Sequence, residues 1–97
     1  MELTFEQQNA YLDNVASMDA KATELENETT ELYARVESMA RELQHIKDDK
    51  VFAIKFRAYE ALLHEADISA NAATIARSMA RTAIVKFVDE VEITTFH

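Results

Sequence analysis

Residues 45–56 read HIKDDKVFAIKF, and the apolar rhythm before this stretch differs from the rhythm after it. Gly and Pro are absent here and from all 97 residues, so neither residue type that usually marks a turn announces one. A reversal has to be read from periodicity. Upstream, one heptad position holds Tyr11, Met18, Leu25, Leu32, Met39 and Ile46. The other holds Val15, Ala22, Thr29, Val36 and Leu43. Steps of three and four alternate without a break, the pattern of a long helix with one packed seam. Continued past Ile46, the same register would bring Lys50, Arg57 and Glu60 onto the seam. The apolar series there is instead Phe52, Phe56, Tyr59, Leu63 and Ala66, displaced by one residue, or about 100° around a helix. A straight helix cannot rotate its buried face so abruptly. The spacing predicts a turn at Lys47–Lys50, with Asp48 or Asp49 capping a new helix. VFAIKF also alternates like a strand, but the chain offers it no pairing partner.

The remaining boundaries follow from capping signals. Thr4 and Gln7 have the spacing of a capping box, with Glu6 in the first turn, so the first helix covers about 4–47. In HEADISANAA, Asp67, Ser69 and Asn71 are all good caps, which predicts a second break and two shorter helices, about 50–66 and about 70–92. The last of these begins in small residues and ends on Ile84, Phe87, Val88 and Val91. Its β-branched tail EITTFH is expected to fray or to dock on a partner, and Phe5 and Phe96 are candidate exposed anchors. SMAR occurs at 38–41 and 78–81, but the flanks do not match and the recurrence is read as coincidence.

These elements define a single all-α domain over 1–97. Its seam thins at Ala22 and Thr29, and Leu12, Tyr33 and Ala40 widen the stripe beside it. A widened stripe suits a helix with two neighbours better than a strict two-stranded coil. A helix of about 44 residues spans about 65 Å, and the two later helices together are about as long. A helical hairpin is the natural arrangement. Two helices enclose no core, so the expectation is a hairpin or bundle completed by homo-oligomerisation, most simply a homodimer forming four helices. Leu25, Leu32, Val36, Met39, Leu43 and Ile46 would carry that oligomer seam, and Phe52, Phe56, Tyr59 and Leu63 would close it.

Charge narrows the function classes. The net charge is −8, which disfavours direct nucleic-acid binding and suits basic protein partners. Residues 1–31 hold eight acids and only Lys21, whereas residues 32–57 carry a net charge of +2. Antiparallel pairing of two copies would set each acidic half near a basic one, although Lys21–Glu26 and Glu42–Lys47 have the spacing of parallel interchain pairs. Cys is absent, which removes disulfides, thiol catalysis and Cys-based zinc sites. The N-terminus lacks the basic start and apolar run of a signal peptide, no stretch is long enough to span a membrane, and NET at 27–29 is read as a chance sequon. A cytoplasmic protein is expected.

Residue patterns for chemistry are sparse. Glu42–His45 has the Glu-x-x-His spacing of helical di-iron centres, but His45 points away from the seam, and Glu60–His64 is not a second copy. No Ser or Thr stands with a His and an acid as a nucleophile would need, and there is no Gly-rich loop for phosphate or an oxyanion. No catalytic residue, metal ligand or cofactor is expected. Arg77 and Arg81, one turn apart, are candidate anion contacts. Asp13, Asp19, Glu24, Glu26, Glu28 and Glu31 form a candidate acidic partner surface.

The expectation is a non-catalytic helical interaction module whose partner is itself. The alternative is a small acidic inhibitor blocking a basic nucleic-acid-binding site of an enzyme complex. In size and charge the chain resembles the small acidic proteins of phages and mobile elements that act this way. A chaperone or adaptor for a helical partner is the third reading. The Trp-x-Gly turn of small helical-hairpin secretion substrates cannot occur, since Trp and Gly are both absent.

Overall fold

The computed structural model describes the backbone of residues 3–96 and the side chains of residues 3–91. Two helices account for nearly all of it: α1 (Phe5–Leu43) and α2 (Asp49–Phe96). The described residues include no strand. Helix α1 starts as the capping box requires. The Gln7 amide donates to the Thr4 hydroxyl at 3.1 Å, and the Thr4 amide donates to Gln7 Oε1 at 2.9 Å.

The reversal between the helices is made without glycine because it needs no left-handed residue: no described residue has positive φ. Helix α1 closes at Leu43, short of the expected 47. The His45 amide then donates to the Glu42 carbonyl at 3.1 Å and the Ile46 amide to Leu43 at 3.3 Å, the tighter i to i−3 pattern of a helix end. Asp48 is the N-cap of α2. Its Oδ1 accepts from the amides of Lys50 and Val51 at 2.9 and 3.0 Å, and its carbonyl accepts from Phe52 at 2.9 Å. The cap holds non-helical backbone, so residues 44–47 are drawn into the turn and α1 is shortened accordingly.

The expected break near residues 67–70 does not occur, and the two shorter helices are one. Asp67 and Ser69 would cap a helix only by turning back onto backbone amides. Here the Asp67 carboxylate accepts from Tyr33 and Ser69 bonds Thr29, so both side chains are committed to α1. With Ala66, Ala70, Ala72 and Ala73 around them, nothing opposes continued helix. The row Phe52, Phe56, Tyr59, Leu63, Ala66 also continues in unbroken fours and threes through Ala70, Ala73, Arg77, Ala80, Ile84 and Phe87 to Val91. The helix runs beyond the expected end at 92. The anchor expected at Phe96 and the side chains of the tail lie outside the described residues.

The chain divides into two compact units. Residues 25–73 form a helical hairpin around the turn. Its arms are antiparallel, since Thr29 meets Ser69, Tyr33 meets Asp67 and Glu42 meets Lys55. Val36, Ala66 and Ala73 are its buried side chains. The second unit joins residues 1–24 to 74–97. Ala22 and Ala80 are fully buried there, and alanine lets two helix backbones approach closely. At Tyr11 the ring lies 5.9 Å from that of Phe87, and the hydroxyl donates to Glu90 at 3.3 Å.

Replacing Asp48 by Ala should cost about 1 kcal/mol and lower the melting temperature by about 4–8 °C, whereas Asp49→Ala should change stability by no more than about 0.5 kcal/mol. Thermal melts followed by circular dichroism check both values, and equal effects would reject Asp48 as the cap.

Candidate interaction surface

The heptad positions of α1 are its shielded face. Every residue of the two series from Tyr11 to Ile46 is buried or partly buried, and Ala40 is the one other such residue in that span. The residues expected to carry an oligomer seam, Leu25, Leu32, Val36, Met39, Leu43 and Ile46, belong to this face. Within the hairpin unit the face meets α2 of the same chain. Tyr59 and Leu63 of α2 are partly buried, while Phe52 and Phe56 remain exposed. The three aromatic rings stack in succession along α2, with centroids 5.8 Å apart for Phe52–Phe56 and 6.0 Å for Phe56–Tyr59.

A polar layer interrupts the hairpin seam. The Thr29 hydroxyl donates to the Leu25 carbonyl at 2.8 Å and lies 2.7 Å from the Ser69 hydroxyl, which is left as the donor to it. One turn further along, the Tyr33 hydroxyl donates to Asp67 Oδ1 at 2.6 Å. That bond, aided by burial and by the negative charge of Asp67, holds the Tyr33 phenol above its ordinary pKa of 10.0. A slip along the seam would break both pairs, so the layer specifies register.

The candidate anion contacts have separate environments. Arg77 turns toward α1, where it pairs with the Asp19 carboxylate and donates to the Thr23 hydroxyl at 3.1 Å. Its side chain is 23% exposed, so this ion pair is better shielded than its surface counterparts. Arg81 is exposed. The six acids of the candidate partner surface are all exposed. Asp19 is engaged by Arg77, and Glu24 lies 3.7 Å from Lys21. In the hairpin unit, Glu42 pairs with Lys55 at 3.9 Å, and His45, Glu60 and His64 face solvent. Among the described residues, no three His, Asp or Glu side chains gather as metal ligands would. No helix is long and apolar enough to cross a membrane among those residues.

The sequence also places Val51, Ile54, Ala58 and Leu62 in a second apolar row beside the Phe52–Ala66 series, and the structure turns much of that row outward. Val51, Ile54 and Ile68 are exposed, Ile54 at 72% and Ile68 at 56%. Beside them, Met39 of α1 and Ala58, Ala61, Leu62 and Glu65 of α2 line an open groove of about 530 Å³. The break expected near residues 67–70 ended that helix at about residue 66, so the continuation of the row to Ile68 was not read. Against protein-family models, curated proteins and solved structures, the chain matches none.

Tyrosine titration tests the polar layer. A phenol whose pKa is raised by folding contributes stability that is complete below its unfolded pKa and lost as pH rises through the folded value. Tyr33 should therefore ionise above pH 10.0, and Asp67→Asn should lower its pKa, as followed by tyrosinate absorbance. An unchanged titration in the variant would remove Asp67 as the cause.

Proposed function

We propose that this chain is a non-catalytic helical interaction module that assembles with a second copy of itself, most simply into a four-helix bundle. The observation that carries the reading is the thinness of the core: among the described residues, no side chain larger than alanine is fully buried. Thirteen large apolar residues among those described stand exposed, several of them aligned on one face of α2 in the hairpin unit, and such faces mark interaction sites. A foreign helical partner, as in a chaperone or adaptor, would use the same face.

A second reading draws on a different surface. Asp13, Asp19, Glu24, Glu26, Glu28 and Glu31 are all exposed on a chain of net charge −8, which suits an inhibitor occupying a basic nucleic-acid-binding site.

Light scattering at low and high salt tests the first reading. The expected result is a dimer mass at both, because apolar contacts are not screened by salt. A folded monomer at both would reject self-assembly. Converting Glu24, Glu26, Glu28 and Glu31 to Lys should leave helicity and an apolar dimer intact, but it should abolish activity if the acidic face is the working surface.

A further inference from the structure

The exposed row on α2 within the hairpin unit has an internal symmetry. Val51, Ile54, Ala58, Ala61, Glu65, Ile68 and Ala72 succeed one another in alternating threes and fours. Counted outward from Ala61, seven residues to either side stand Ile54 and Ile68, four to either side Arg57 and Glu65, and six to either side Lys55 and Asp67. At these positions apolar mirrors apolar and base mirrors acid, whereas Ala58 mirrors His64 and Val51 mirrors Asn71. Glu65 lies in the apolar groove beside Met39, Ala58 and Leu62, and neither its side chain nor that of Arg57 has an ion pair or hydrogen bond among the described residues.

We infer that this row docks on the same row of a second copy, antiparallel, about a two-fold axis at Ala61. The inference rests on the self-assembly reading and deepens it by assigning the surface and the orientation. An isologous contact requires a patch complementary to itself, and the mirrored sequence supplies one. Ala58 and Ala61 at the centre admit close approach of the two helices. Ile54 then packs at the level of the partner's Ile68. Arg57 reaches the partner's Glu65 and neutralises the carboxylate in the groove. Parallel pairing would instead stack Glu65 on Glu65 and Arg57 on Arg57, which like-charge repulsion opposes.

Single cysteines test the geometry, because the chain has none of its own. In mild oxidation of the full chain, Ala61→Cys should link to itself. Ile54→Cys and Ile68→Cys should not self-link, but they should link to each other when mixed. Ala53→Cys, off the row, should stay unlinked. Arg57→Glu and Glu65→Arg should each weaken association by about tenfold or more, and the double exchange should restore it. A dimer mass with self-linked Ile54→Cys, or with no link at Ala61, would overturn this surface and orientation while leaving self-assembly standing. A monomer mass for the unaltered chain would overturn both and leave the groove to a foreign helix.

Discussion

A pair of helices can hide only the line along which they touch. In the hairpin unit that line holds the heptad face of α1 and the Tyr59–Ala73 face of α2, and its buried members are Val36, Ala66 and Ala73. The unit formed by the chain ends relies on Ala22 and Ala80, with Tyr11 against Phe87. Alanines bring the backbones together but remove little apolar area per residue from water. Large side chains such as Ile54 and Ile68 consequently stay outside. The proposed self-assembly is the response to that constraint, since a second layer of helices is the least elaborate way to cover a face that one contact line leaves open.

With so little bulk in the seam, polar contacts take on the work of specifying alignment. Apolar heptads of similar size can slide by one repeat at low cost, but a hydroxyl pair such as Thr29–Ser69 cannot, because each slipped group would lose its partner. Tyr33–Asp67 in the hairpin and Arg77–Asp19 in the other unit act in the same sense. Thr29 looks like a flaw in the α1 heptad when α1 is read alone. It becomes a register device once Ser69 stands opposite it.

Much of this is legible in the sequence. The register failure after Ile46 located the reversal, and the Asp48 cap and the Thr4–Gln7 box are where local chemistry places them. The break at 67–70 was not legible, because Asp67, Ser69 and Asn71 satisfy the rules for a cap equally well whether or not a partner helix lies alongside. The exposed row on α2 was half legible: its first members were visible, and its continuation through Ile68 was hidden by that same break.

The sequence by itself determined the helical class, the face of α1 that is shielded and the place where the chain reverses. Each depends on a long periodic signal or on a cap acting within three residues. Only the tertiary structure decided that residues 66–73 stay helical and that the second apolar row of α2 stays exposed as far as Ile68. The reason is one of magnitude. A cap or a helix propensity at one residue is worth about 1 kcal/mol or less, so hydrogen bonds and packing from the neighbouring helix are large enough to choose between two conformations that the local sequence leaves nearly equal.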